Sequence, residues 1–293
     1  MRSAISSLVV NPPIRDGDAP PEFSGTGNPR SAVLTPESTG PVGYRSAMDL
    51  ARWGFADDTV VITGGGSGIG RATAIACVSL GLKVAIWDIV DDAGRATIDA
   101  LEVPASQAHL VIADVSDPDA VDAAFAETIA RLGPVRYLVN NAGPRAADPY
   151  SFDEGMRLGA GSVELMTRAW LATAPPVASS IVNVASVAGN VAGTDPPWYA
   201  ANKAAIAGYT RAMAVALAPS VRVNAVAPSL VNTPRTSSWT DSDLGRHWAE
   251  VNPLGRWAVA DDIALPIVYL LSPMAGYING VLLVVDGGQT LVL

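Results

Sequence analysis

VITGGGSGIGRATAIA, residues 61–76, places five glycines among the seven positions 64–70, between an apolar run and an alanine-rich one. Glycine loses more conformational freedom on folding than any other residue, so such a run has to serve positive φ angles or a backbone bare of side chains. TVVIT, from Thr59, reads as a strand, and the residues from about Gly68 read as a helix. A glycine run by itself is commonly a loop. At a strand-to-helix junction it is the context that a dinucleotide fingerprint requires. The spacing is not G-x-G-x-x-G, because Ile69 stands at its third glycine; it is G-x-x-x-G-x-G over Gly64, Gly68 and Gly70. The physics is similar: the turn needs glycine conformations, and the helix N-terminus offers free N–H groups and a positive dipole end to a pyrophosphate.

Composition narrows the field. The chain has 293 residues, 49% apolar and 16% charged, enough for a large core. A formal net charge of -9 argues against a nucleic-acid partner, which favours a basic patch. The single cysteine, Cys77 in AIACVSL, excludes an internal disulfide, suits a reducing, cytoplasmic setting and reads as a small core residue. His109 and His247 stand far apart with no cysteine or carboxylate cluster, so no metal site is expected. Two long uncharged stretches, 169–194 and 264–285, are punctuated by Pro175, Pro176, Pro266, Pro273, Gly276 and Gly280. A spanning helix wants about 20 predominantly apolar residues without such breaks, so no membrane partner is expected. The first residues, MRSAISSLVVNPP, lack the pattern of a signal peptide.

Residues 1–46 are rich in Pro, Gly, Ser and Thr without a period, the composition of an extended arm. MDLARWGF, 48–55, brings Leu50, Trp53 and Phe55 together as a segment that docks on the body. From there on, strand-like runs alternate with helix-like ones: TVVIT, KVAIWD, HLVIAD, VRYLVN, SSIVNVAS, VRVNAVAP and GVLLVV are separated by amphipathic segments. One of those segments is expected to be a helix near 153–172. The pattern predicts an α/β fold: one doubly wound, Rossmann-type domain over 47–293 with a seven-stranded parallel sheet. Ligands of such sheets bind beyond the carboxyl ends of the strands.

Candidate residues fall at those ends. Asp88 closes KVAIWD about 20 residues after the glycines, where an acid binds ribose hydroxyls. It could equally cap the next helix, although Asp91 is available for that role. Asp114 follows the third strand, placed either to touch an adenine or to cap the following helix. Tyr199 and Lys203, four apart in YAANK, share a helix face. A free tyrosine has a pKa of about 10; an ammonium one turn away stabilises its phenolate and makes it a proton shuttle. Ser186, thirteen residues before Tyr199, could hold a substrate oxygen beside it.

Over 57–293 the chain resembles the short-chain dehydrogenase/reductase family, on TGGGSGIG, the DV at Asp114–Val115, NNAG at 140–143, Ser186, YAANK, RVNAVAPSLVNTP and the terminal VDGG. The resemblance implies that Tyr199 is the acid/base, that Lys203 orients the nicotinamide ribose, and that Ser186 positions the substrate. It extends the cofactor contacts to Gly64, Ser67, Gly68, Ile69, Gly70, Asp88, Asp114, Val115, Asn141, Ala142, Gly143, Pro228 and Thr233. Thr233 reaches the nicotinamide carboxamide. The cofactor is expected to be NAD, because Asp88 would repel a 2′-phosphate and Ser67 stands where phosphate-binding relatives often carry Arg. A small-molecule substrate and a homotetramer or homodimer are implied as well.

The departures from the family pattern are informative. Family members carry an asparagine in the helix before Ser186 that holds a water linking the lysine to solvent. MRLGAGSVELMTRAW has no asparagine, and Gly159 stands in that place. The expectation is that a differently held water, or Ser162, provides the path, and that Gly159→Asn is tolerated. Ser229 replaces a usual glycine, and the stretch between Gly143 and Ser186 is a few residues short. Residues 230–252 are expected to form a substrate lid. Its Trp239, His247 and Trp248, with Trp257 beyond, either pack the lid down or line an apolar or aromatic pocket.

The sequence thus points to NAD-dependent oxidation of a secondary alcohol or reduction of its ketone. A non-catalytic NAD-binding scaffold of the same fold, or an epimerase or dehydratase of the family, stand as alternatives. Residues 1–46 carry too few clustered apolar side chains to form a core. Deleting them is expected to leave a folded, NAD-binding protein altered mainly in oligomer stability or lid behaviour; loss of soluble folded protein would place the arm in the core.

Overall fold

The computed structural model describes residues 53–55, 57–192, 194, 196–240 and 242–292, without the side chain of Trp239. The arm, 1–46, and the expected docking residue Leu50 lie outside them. A parallel sheet is assembled from β1 (Thr59–Thr63), β2 (Lys83–Asp88), β3 (Ala108–Ile112), β4 (Val135–Asn140), β5 (Ser179–Val184), β6 (Val221–Pro228) and, after two short strands described below, β9 (Leu282–Val285). Its order is β3-β2-β1-β4-β5-β6-β9. The chain reverses its direction of travel between β1 and β4, the crevice in which doubly wound sheets bind ligands.

Burial on both faces explains why the central strands read as unbroken apolar runs. Val60 and Ile62 point into one core cluster and Val61 into the other; Val84 and Ile86 divide from Ala85 and Trp87 in the same way. On the first face pack α1 (Gly68–Ser79), α2 (Asp91–Leu101) and the late helix α9 (Ala260–Leu271), through Cys77, Leu101 and Ile267 among others. On the second pack α3 (Pro118–Leu132) and α5 (Ser162–Ala172), through Phe125, Met166 and Trp170. Trp87 meets Phe125 edge-on at 4.7 Å, and its indole N–H donates to Thr128 Oγ1 at 3.0 Å. Trp53 and Phe55 do dock on the body, Phe55 against Tyr137 at 5.4 Å between ring centroids.

Local chemistry sets the helix ends. Asp117 caps α3 by accepting from the N–H groups of Asp119 and Ala120. Ser151 and Glu154 form a reciprocal capping box that starts α4 (Phe152–Met156). The guanidinium of Arg222 donates to the carbonyls of Leu270, Leu271 and Ser272, closing the C-terminal end of α9. The expected single helix over 153–172 is interrupted: α4 runs into a π turn at Arg157–Gly161 before α5 begins. Turns of this kind insert one residue into a helix and commonly mark functional positions.

The long helix α6 (Pro197–Ala216) lies against this broken helix, and the close approach is made by two glycines four apart. A Cβ on Gly155 would fall 2.3 Å from the Trp198 ring, and one on Gly159 would fall 1.8 Å from Asn202 Nδ2. Residues 230–252 hold β7 (Val231–Asn232), α7 (Ser237–Thr240) and α8 (Asp243–Val251); β7 pairs in parallel with β8 (Ala258–Val259). Among the described residues no helix is long and apolar enough to cross a membrane.

Candidate active site

At the carboxyl end of β1 the chain turns through Gly64 (φ +64°) and enters α1 at Gly68 (φ +52°), left-handed conformations that other residues rarely adopt. The turn is tight: a Cβ on Gly70 would lie 2.1 Å from the Gly64 carbonyl oxygen. Ser67 is the N-cap residue in extended conformation, and its hydroxyl makes no capping bond. The first N–H groups of α1 are therefore left to an anion, at the positive end of the dipole. Ile69 rests part of its side chain on the core and keeps its backbone in that first turn. A bare backbone cradle with uncapped donors fits a pyrophosphate.

Asp88 stands beside the cradle at the end of β2. Its carboxylate accepts from Gly66 N–H at 2.9 Å and from Val90 N–H at 3.0 Å, which holds it at the mouth of the loop. Asp91 does not cap α2; it lies in the first helical turn and pairs with Arg95. Asp114 is exposed, accepts from the N–H and hydroxyl of Ser116, both at 2.8 Å, and leaves the capping of α3 to Asp117. Val115 beside it packs partly on the core. Asn141 acts on the glycine turn itself: its amide donates to the carbonyls of Thr63 (2.9 Å) and Gly64 (3.2 Å). The N–H groups of Asn141 and Ala142 both donate to Thr63 Oγ1 at 3.0 Å, so NNAG and TGGG are bolted together. Gly143, Pro228 at the end of β6 and Thr233 complete the rim. The Thr233 methyl lies 3.2 Å from where a Gly68 Cβ would be, so it faces the cradle across the crevice. Ser229 sits where a glycine was expected, without a positive φ.

The three proposed catalytic groups converge. Ser186 follows β5; its hydroxyl donates to the Pro228 carbonyl at 3.4 Å, accepts from Ala188 N–H at 3.1 Å, and stands near enough to Tyr199 to favour its phenolate. From α6, Lys203 donates to the Val184 carbonyl at 2.9 Å, with Nζ 5.7 Å from the centre of the Tyr199 ring. Burial pushes the Tyr199 phenol above its ordinary value, opposed by the Arg235 guanidinium and the Ser186 hydroxyl. In the protein alone, burial outweighs the nearby Arg235 and Ser186 at the phenol. Burial first, then Arg235, brings Lys203 down to about 8.

Gly159 also departs from expectation. The space above it is filled by Asn202, so Gly159→Asn cannot be accommodated while Asn202 keeps its place. Nor is Ser162 free to stand in: its hydroxyl donates to the carbonyls of Leu158 (2.9 Å) and Gly159 (2.8 Å) inside the π turn. Trp257, just beyond the expected lid, is a packing residue, donating to the Gly245 carbonyl at 2.9 Å and tying α8 to the body. Trp248 is half-buried, with exposed His247 at 6.3 Å, and Trp239 lies outside the described side chains.

Sequence reasoning missed three residues. Asn190 donates to the carbonyls of Ser186 (2.9 Å) and Lys203 (3.2 Å), joining the loop after β5 to α6. Arg235 donates to the Gly143 carbonyl at 3.3 Å and so spans from the lid to NNAG; a cation two residues beyond Thr233 was a legible hint. Asn202, inside YAANK, was visible as a polar residue beside Lys203, but nothing in its spacing says that it faces Gly159.

Residues 64–290 match the family model described as enoyl-(acyl carrier protein) reductase. The chain is 36% identical over 250 residues to cis-4-hydroxycyclohexanecarboxylate dehydrogenase of Sinomonas cyclohexanicum, covering 81% of this chain and 98% of that one. It is 34% identical to levodione reductase of Leifsonia aquatica, covering 80% and 95%. A solved short-chain dehydrogenase/reductase from Brucella melitensis superposes with a TM-score of 0.75 at 29% identity, covering 80% of this chain and 97% of that one. This chain belongs to the short-chain dehydrogenase/reductase family, oxidoreductases that work on alcohols and ketones with nicotinamide cofactors.

The lowered Lys203 has a consequence for stability. Between about 8 and the ordinary lysine value of about 10.5 the unfolded chain holds a proton that the folded chain has lost, so stability gains with rising pH in that window. Lys203→Met lacks this dependence. The stability of the native chain relative to the variant is expected to grow by on the order of 3 kcal/mol from pH 7.5 to 10.5, read by urea unfolding. A difference independent of pH would show that Lys203 is not buried as a strained cation.

Proposed function

We propose that this protein transfers hydride between NAD(H) and a ring-borne secondary alcohol or its ketone. The observation that carries the proposal is the meeting of Ser186, Tyr199 and Lys203 at the carboxyl ends of β5 and its neighbours, beside a glycine cradle and Asp88. A bound nicotinamide supplies the hydride acceptor or donor. Tyr199 takes the alcohol proton during oxidation and returns one to the oxygen during reduction, while Ser186 holds that oxygen by a hydrogen bond. Arg235 and the Ser186 hydroxyl favour the phenolate that oxidation requires. The substrate class draws support from relatives whose names specify six-membered carbocyclic alcohols: the hydroxycyclohexanecarboxylate dehydrogenase and a 2,5-dichloro-2,5-cyclohexadiene-1,4-diol dehydrogenase of Sphingobium indicum, 35% identical. We also propose, on the family resemblance, a cytoplasmic homodimer or homotetramer.

NAD is preferred in this proposal because the Asp88 carboxylate, held at the mouth of the cradle, would meet a 2′-phosphate with like charge. A panel of cyclic secondary alcohols and ketones with NAD(H) and NADP(H) tests it. NAD(H) is expected to be the better cofactor, and Asp88→Ala to erase the preference; equal efficiency of NADP(H) with the native chain would sink it. Tyr199→Phe keeps the ring and removes the proton carrier. Turnover is expected to fall by about 10²–10⁴-fold, with NADH affinity by fluorescence titration unchanged. A variant keeping more than about a tenth of the activity would remove Tyr199 from the acid/base role.

A further inference from the structure

Arg235 stands in the turn between β7 and α7, two residues beyond Thr233, and its side chain crosses to the loop after β4. Its Nη1 donates to the Gly143 carbonyl at 3.3 Å. A guanidinium carries five N–H groups in a planar fork, and this one has no carboxylate within ion-pairing distance among the described residues. The acid that feels its charge is committed elsewhere. Asp148 is acted on by Arg235, yet both of its oxygens are taken by Arg145: Oδ1 accepts from Nε at 2.8 Å and Oδ2 from the backbone N–H at 2.7 Å. Of the two arginines at this rim, Arg145 therefore has its carboxylate and Arg235 has none among the described residues.

Arg235 also lies at the reacting end of the crevice. Its charge reaches both the Tyr199 phenol and the Lys203 ammonium. Two cations facing one reacting centre repel each other, and an anion brought between them and the solvent relieves that repulsion. The chain as a whole carries a net charge of -9, so its general field draws no anion inward; a cation fixed at the site does. Beside Tyr199 the structure is aromatic: the Trp198 ring lies 5.7 Å away, and that of exposed Tyr150 follows at 6.0 Å from Trp198. Apolar surface with one placed charge is how small-molecule sites fix the orientation of what they bind.

We infer that Arg235 is a specificity-determining residue, whose guanidinium receives a carboxylate that the substrate carries on its ring, away from the carbon that is oxidised. The inference rests on the dehydrogenase function proposed above and adds an acidic group to its substrate class. Arginine suits the task because its fork meets a carboxylate with two parallel N–H···O bonds, and the bond to Gly143 holds the fork in place. At an open surface such a pair is worth little; a ring bound between the 230–252 segment and NNAG shields it from water and strengthens it. A cofactor phosphate offers the same anion chemistry, but the uncapped N–H groups of α1 already provide for one.

The test compares hydroxycycloalkane carboxylates, with the acid at each ring position in turn, against the matching carboxamides, which keep the shape and lose the charge. With the native chain and NAD, kcat/KM is expected to favour a carboxylate over its amide by about tenfold or more, mainly through KM, the scale of one charge-assisted contact. Arg235→Leu is expected to bring that ratio to about one, and Arg235→Lys to restore part of it. Loss of the Arg235 charge at Tyr199 strikes both substrates alike and cancels in the ratio. A native chain that favours no carboxylate over its amide, or a ratio that survives Arg235→Leu, overturns the inference and leaves the dehydrogenase function standing. The first of these outcomes needs no variant and is independent of how the variants fold. NADH binding weakened by about tenfold or more in Arg235→Leu, read by fluorescence titration, assigns the guanidinium to a cofactor phosphate and overturns the inference as well. Failure of the native chain to oxidise any alcohol of the panel, charged or neutral, with NAD or NADP overturns both.

Discussion

The Gly64 carbonyl lies so close to α1 that no side chain fits on Gly70, and the amide of Asn141 closes the turn from the other side. This one contact sets where β1 ends, how steeply α1 leaves the sheet and where the uncapped N–H groups of that helix point. Thr63 carries the same constraint into the neighbouring strand, since its hydroxyl accepts from two backbone N–H groups of NNAG. β1 and β4 are the strands between which the sheet order reverses. A clamp at that crevice therefore positions both walls of the cofactor site, and the Asp88 contact with Gly66 extends it to β2.

The catalytic half depends on a second close approach. Gly155 and Gly159 present bare backbone to α6, which lets Trp198 and Asn202 settle into the broken helix. Tyr199 and Lys203 ride on the same helix, so their placement is inherited from that packing. Lys203 then reaches past its own helix to the end of β5, and Asn190 ties the loop after β5 back to the Lys203 carbonyl. Polar groups are concentrated here at a cost. A cation brought down to about 8, a phenol pushed up by burial and an amide without partners among the described residues are arrangements that stability alone would not select.

The strands and their order of use were legible because their signals are local. TVVIT, KVAIWD, VRYLVN and VRVNAVAP begin and end where apolar periodicity and turn residues say they should. The glycine spacing, Asp88 and the Ser–Tyr–Lys set were legible for a related reason: each stands just after a strand or on one helix face, and both periodicities are properties of the chain alone. The helix over 153–172 shows where this ends. Its α-helical pattern is real, but it does not show the π turn at Arg157–Gly161, where Gly159 meets Asn202 of α6.

From the sequence alone came the doubly wound sheet, the glycine turn and the grouping of Ser186, Tyr199 and Lys203 as candidates, because strand and helix periods place those side chains before any long-range contact forms. Tertiary structure alone decided what surrounds them. That Asn202 occupies the space above Gly159, that Asn141 serves the glycine turn, that Arg235 bridges lid and loop, and that burial outweighs charge at Tyr199 all follow from segments far apart in the chain meeting within a few ångströms. Desolvation and steric exclusion act over those distances, and no spacing along one chain records them.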